Sequence, residues 1–133
     1  MKRYMLILIM LLMLAGCAAP KENKDMPAQY RMIGMEEAVS MLQTEQDYIL
    51  LDVRTPEEFA EKHIPGAINI PNEDISDSEP EALPNKNQLI LVYCRSGNRS
   101  KQASQKLADM GYTNVVEFGG INDWPGKTVS GTE

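Results

Sequence analysis

Cys94 closes an apolar run, Leu89-Ile90-Leu91-Val92-Tyr93, and is followed by Arg95-Ser96-Gly97-Asn98-Arg99-Ser100. A cysteine acts as a nucleophile through its thiolate, and a thiolate is favoured where cations and unpaired backbone N–H groups converge on the sulfur. The apolar run reads as a strand buried on both faces. Ser100 to Met110 then carries Ala103, Leu107 and Met110 at helical spacing and stops at Gly111. Cys94 is therefore placed where a strand hands over to a helix, which is where open α/β sheets bind ligands and where the helix offers free amides and the positive end of its dipole. Residues Arg95, Ser96, Gly97, Asn98, Arg99 and Ser100 form the candidate anion-binding loop. Gly97 lets it turn tightly enough for successive amides to point at one spot. The chemistry expected is attack by Cys94 on an anionic substrate, with Arg95 and Arg99 lowering the cysteine pKa.

Four residues separate Cys94 from Arg99. Cysteine phosphatases use the wider Cys-x5-Arg cradle, which fits a tetrahedral oxyanion, so the shorter loop suits a single transferred sulfur. Three further segments accompany the loop: Leu50-Leu51-Asp52-Val53-Arg54-Thr55-Pro56-Glu57-Glu58-Phe59, His63-Ile64-Pro65-Gly66-Ala67-Ile68-Asn69-Ile70-Pro71, and Gly119-Gly120 followed by Trp124. On these motifs the chain resembles the single-domain rhodaneses, from about Tyr30 to Lys127. The resemblance implies a single α/β domain with a central parallel sheet of about five strands and helices on both faces. It also implies sulfurtransfer through a Cys94 persulfide, with a small sulfur-containing anion such as thiosulfate as donor. A thiol, cyanide or a protein would be the acceptor, and no metal or organic cofactor would be needed. The competing readings are a non-catalytic sulfur or anion sensor or interaction module, and a phosphatase or arsenate reductase-like enzyme, against which the loop spacing argues.

Other residues have more modest roles. Asp52 and Arg54 end the second strand near the same sheet edge and are expected to give electrostatic support. Arg99 could fix the loop through an ion pair with Asp52 or another acid, and the resemblance adds a part in shaping the cradle. His63 is the single histidine; the resemblance makes its segment structural, and one histidine with one cysteine gives no closed zinc set. Trp124 reads as a packing residue.

Positioning the loop requires alternating elements. A short edge strand is expected over Tyr30–Ile33, a helix over Met35–Leu42, and strands over Tyr48–Val53, Ala67–Ile70, Leu89–Tyr93 and Asn114–Phe118. Thr55-Pro56-Glu57-Glu58 is a helix start, with Thr55 as cap, Pro56 at the first helical position and Glu58 closing a capping box. Strands alternating with helices imply parallel crossovers. Asn72–Asn87 is acidic and weakly patterned, and a helical turn is expected around Glu79–Leu83 because long structureless loops are uncommon in compact domains.

The start of the chain addresses compartment. Lys2 and Arg3 precede an uncharged apolar run from Tyr4 to Ala15, too short to span a bilayer and suited to a signal-peptide core. Leu14-Ala15-Gly16-Cys17 resembles a bacterial lipobox, so residues 1–16 are expected to be removed and Cys17 lipidated, anchoring the protein extracytoplasmically to an inner or outer membrane. Residues 17–29 read as a tether, 30–128 as the domain and 129–133 as a tail. With Cys17 acylated, Cys94 has no resolving thiol, which argues against a dithiol oxidoreductase. The formal charge of the 133-residue chain is −6, and loss of Lys2 and Arg3 makes it more acidic. That balance gives no support to nucleic-acid binding. A monomer is expected.

Overall fold

The computed structural model describes residues 28–132. The expected leader, the lipidation at Cys17 and nearly all of the tether lie outside the described residues. Among the described residues, no helix is long and apolar enough to cross a membrane.

The core is a five-stranded sheet made of β1 (Arg31–Met32), β2 (Tyr48–Asp52), β3 (Ile68–Asn69), β4 (Leu89–Cys94) and β5 (Val115–Gly120), in the order β1-β5-β4-β2-β3. Every pairing is parallel. Parallel neighbours need crossovers, and these supply α1 (Met35–Thr44), α2 (Pro56–Glu61) and α3 (Asn98–Asp109). The strand alternation divides the core in two. Leu51, Val53, Ile90, Val92, Cys94 and Val115 meet Ala103 and Leu107 of α3 on one face. Leu50, Leu91, Tyr93, Val116 and Phe118 meet Ala38 of α1 and Phe59 of α2 on the other. Both faces are covered, which is why β4 has no polar residue before its end. Each fully buried aliphatic side chain of this kind contributes about 1.5–3 kcal/mol to stability.

Local signals explain most element ends. Thr55 Oγ1 accepts from the Glu58 amide while Glu58 Oε1 accepts from the Thr55 amide, both at 3.2 Å, completing the expected capping box with Pro56 inside it. Gly97, at φ +117°, turns the chain from β4 into α3, which begins at Asn98 and so two residues earlier than the apolar spacing indicates. The helical turn expected around Glu79–Leu83 is absent. That stretch holds one turn closed by the Leu83 amide on the Pro80 carbonyl at 3.0 Å, and the short 3-10 helix lies at Asn72–Asp74. Two prolines are the reason: Pro80 has no N–H to give, and Pro84 pushes Leu83 away from helical backbone. The segment is anchored by buried Ile75 and Leu83, and the Tyr112 hydroxyl donates to the Leu83 carbonyl at 2.6 Å.

Residues beyond Thr128 pack on α2. Val129 exchanges backbone hydrogen bonds with His63 at 2.8 and 2.9 Å, the Gly131 amide donates to Ala60 O, and Ser130 Oγ donates to Glu61 O. These contacts supply donors to carbonyls that the end of a short helix leaves unpaired.

Candidate active site

Cys94 is the last residue of β4 and pairs with Gly120 of β5 after a register shift between Val92 and Cys94. The shift follows from what must fit there. The loop after Cys94 lies directly on Gly120, where a Cβ would collide with the Arg95 carbonyl and sit 2.5 Å from Ser96 N. The Asn122 amide donates to Arg95 O at 3.2 Å from the far side. Gly120 is thus a backbone seat for the loop, a role for which only glycine has room. β5 accordingly continues through Gly119 and Gly120, beyond the Phe118 limit expected from hydrophobicity.

The loop wraps the sulfur. Cys94 is 1% exposed. The Gly97 amide donates to Sγ at 3.0 Å, and Ser100 Oγ lies 3.4 Å from it. Burial alone would raise the thiol pKa; hydrogen bonds from the Ser100 hydroxyl and from the amides of Ser100, Gly97 and Ser96 outweigh it and leave the pKa below the ordinary value. Amides of the loop and of the first turn of α3 thus favour the charged form of one sulfur.

Arg99 forms the ion pair expected of it, with the second of the two alternatives the sequence left open. Arg99 turns to Glu58 of α2, with Nη1 on Oε1 at 2.6 Å and Nη2 on Oε2 at 3.0 Å. Its acid partner is Glu58 and not Asp52, because Asp52 is already taken: Arg54 Nε reaches both Asp52 oxygens at 3.1 Å and Nη2 reaches Oδ2 at 2.7 Å. Arg99 pulls the Glu58 carboxyl down to about 2, against a smaller upward push from burial. Arg99 itself is held charged by Glu58 first and, more weakly, by the Cys94 charge. The thiolate is accordingly stabilised mainly by amides and a hydroxyl, with the Arg99 guanidinium clamped beside them. Arg95, Ser96 and Asn98 are exposed on the rim. Arg95 lines a pocket of about 270 Å³ with Arg54, Glu58, Glu61 and Lys62.

Asp52 and Arg54 form a buried pair under the same edge, and Arg54 Nη2 also donates to Lys62 O at 2.6 Å, which ties β2 to the end of α2. His63 lies away from the sulfur. Its Nδ1 is 2.8 Å from Phe59 O and its ring stacks on Phe59 at 3.7 Å. Trp124 packs on the α1 side of the sheet, with Nε1 donating to Lys127 O. Among the described residues no group of three His, Cys, Asp or Glu side chains is placed to hold a metal ion.

Two residues beside the cradle have roles that sequence reasoning did not assign. Glu58 was legible as a capping residue but not as the partner of Arg99, which is 41 positions away. Glu117, in the apolar stretch Val115-Val116-Glu117-Phe118, is buried behind Ser100. A lone acid inside a core strand was the available signal, since unpaired carboxylates are rarely buried.

Comparison with known proteins agrees with this geometry. The model of the rhodanese-like domain matches residues 35–127. The chain is 44% identical over 73 residues to thiosulfate sulfurtransferase PspE of Escherichia coli strain K12, covering 55% of this chain and 70% of that protein. It is 33% identical over 108 residues to thiosulfate sulfurtransferase GlpE of Pseudomonas syringae, covering 77% of this chain and 98% of that one. A solved structure of rhodanese with anions from E. coli superposes with a TM-score of 0.58 at 40% identity, covering 63% of this chain and 99% of the other. A parallel sheet that delivers one cysteine to a ring of amides, and single-domain sulfurtransferases as relatives on both sequence and structure, make this chain a member of the rhodanese-like family of sulfurtransferases.

Proposed function

We propose that the protein moves sulfane sulfur from thiosulfate or a related donor to a thiophilic acceptor through a persulfide on Cys94. The observation that carries this reading is the convergence of the Gly97 amide and the Ser100 hydroxyl on a buried sulfur at a strand end. Thiolate Cys94 attacks the outer sulfur of thiosulfate, the S–S bond of the donor breaks, and sulfite leaves with the bonding pair. The terminal sulfur of the Cys94 persulfide carries the charge and rests on the donors that held the thiolate. A thiol, cyanide or a protein acceptor then takes that sulfur and returns Cys94 to the thiolate. In this reading Arg95, exposed after the cysteine, contacts the donor's oxyanion, and the Arg99–Glu58 pair shapes the cradle. The names of PspE and GlpE support thiosulfate as the donor class.

Intact mass after mixing the reduced protein with thiosulfate tests the reading. A gain of about 32 Da, one sulfur, is expected on the wild type and not on Cys94→Ser. An equal gain on both proteins, or phosphatase turnover that is lost in Cys94→Ser, would overturn it. The same proposal places the domain outside the cytoplasm on a lipid attached to Cys17, on the strength of Leu14-Ala15-Gly16-Cys17. Cys17→Ser is then expected to release it from the membrane fraction, and unchanged membrane association would refute that part alone.

A further inference from the structure

Behind the cradle lies a carboxylate that the sulfurtransfer mechanism leaves unused. Glu117 projects from β5 toward α3, is 2% exposed, and forms no ion pair among the described residues. Its Oε1 accepts from Ser100 Oγ at 2.6 Å and from the Gly119 amide at 2.8 Å. Ser100 Oγ is also the atom 3.4 Å from Cys94 Sγ. The three groups form a line: sulfur, hydroxyl, carboxylate.

A hydroxyl has one proton and can donate it to one neighbour at a time. The Gly97 carbonyl at 2.9 Å and the Gly119 carbonyl at 3.3 Å are also within reach of this hydroxyl, and the Glu117 contact is the shortest of the three. When Ser100 donates to Glu117, it can only accept from Cys94, and this arrangement suits the thiol. When it donates to Sγ, it suits the thiolate, and its oxygen is free to accept from a protonated Glu117. We propose that Cys94 and Glu117 share one proton through Ser100, so that Glu117 is a positioning residue that receives the proton released as Cys94 becomes the nucleophile. The S–H bond breaks as its proton passes to Ser100 Oγ, the former Ser100 proton passes to Glu117 Oε1, and the negative charge moves from the carboxylate to the sulfur. Proton count and net charge are unchanged, and no co-reactant is needed.

The surroundings isolate this pair. On β4 the titratable group on this face is Cys94 itself. On α3, Arg99 is clamped by Glu58, Lys106 is bound to Asn72, and Lys101 and Asp109 are exposed. On β1, Arg31 is exposed, as is Arg95 in the loop. Among the described residues no cation is paired with Glu117, and a carboxylate next to a thiolate opposes its charge unless a proton lies between them.

The inference rests on Cys94 being the nucleophile of the proposed function, but its test needs no sulfur donor. Alkylation of Cys94 by iodoacetamide, followed by mass across the pH range, reads thiolate directly. In the wild type the logarithm of the rate is expected to rise, hold flat while the pair carries one charge and the internal proton position alone sets the thiolate fraction, and then rise again as the last proton leaves. In Glu117→Gln the flat shoulder disappears, and the rate climbs in one step to a plateau reached at lower pH than the wild-type upper plateau. Ser100→Ala, which keeps the carboxylate but cuts the line, lowers the shoulder by about tenfold and serves should the glutamine variant not fold. A single step in the wild type, or a Glu117→Gln profile that coincides with it or moves to higher pH, would overturn the proposal while leaving the persulfide chemistry intact.

Discussion

Alanine at Glu58 removes two interactions with one side chain, and the structure allows each to be sized. The first is the capping box: Glu58 accepts the Thr55 amide at the start of a helix only six residues long, and losing such a cap costs about 1 kcal/mol. The second is the two-point pair with Arg99, which joins α2 to α3 across the cradle. At an effective dielectric of 20, opposite charges about 4 Å apart attract by about 4 kcal/mol. Depression of the Glu58 carboxyl from 4.5 to about 2 corresponds to about 3 kcal/mol before allowance for solvent. Both side chains are 27% exposed, so water and the cost of ordering two long side chains reduce the net coupling to about 1–2 kcal/mol. Urea unfolding of the wild type, Glu58→Ala, Arg99→Ala and the double variant at pH 7 and low salt should show Glu58→Ala destabilised by about 2–3 kcal/mol, with a coupling energy of about 1–2 kcal/mol. The pH dependence has a definite sign. Because the folded-state value lies below the unfolded one, the pair contributes fully above pH 4.5, and its contribution falls away as the pH drops from there toward 2. Glu58→Gln should flatten that acid limb. A coupling energy within about 0.3 kcal/mol of zero, with an unchanged acid limb, would refute the clamp.

Gly120→Ala should force the Arg95 carbonyl off its seat, lowering stability by about 2 kcal/mol or more and slowing sulfur loading of Cys94 at least about tenfold. Gly34→Ala, with nothing within 4 Å of the added Cβ but at the N-cap of α1, should cost no more than about 1 kcal/mol and leave the loading rate of Cys94 unchanged. Tyr93→Phe removes the buried hydroxyl that accepts the Ile64 amide at 3.1 Å, so urea unfolding should show a loss of about 1–3 kcal/mol. Because that hydroxyl points to the face opposite the cradle, the alkylation rate of Cys94 at pH 7 should be unchanged in Tyr93→Phe.

Local signals determined much of this protein before any tertiary contact is considered. The short apolar runs within Tyr48–Val53 and Leu89–Tyr93, the capping box at Thr55–Glu58 and the Cys-x4-Arg loop each depend on neighbours within a few positions, and each appears where that logic places it. Cys94 could be singled out for the same reason, since its strand, loop and helix are contiguous. Where local signals are weak, the outcome shifts: the length of the unpatterned Asn72–Asn87 stretch favoured a helical turn around Glu79–Leu83, and Pro80 and Pro84 ruled it out.

The long-range partners had to come from the packed structure. Arg99 lies 41 residues from Glu58, and Ser100 lies 17 from Glu117. Nothing in the order of residues says that Asp52 is occupied by Arg54 and so leaves Arg99 to another acid. Gly120 is needed under the loop only because the sheet sets β5 beside β4 with a shifted register at Cys94. The sequence by itself singled out Cys94 as the candidate nucleophile and the loop amides that follow it. The tertiary structure decided how that sulfur's charge is balanced, because a proton or an ion pair responds to distance in space and is insensitive to separation along the chain.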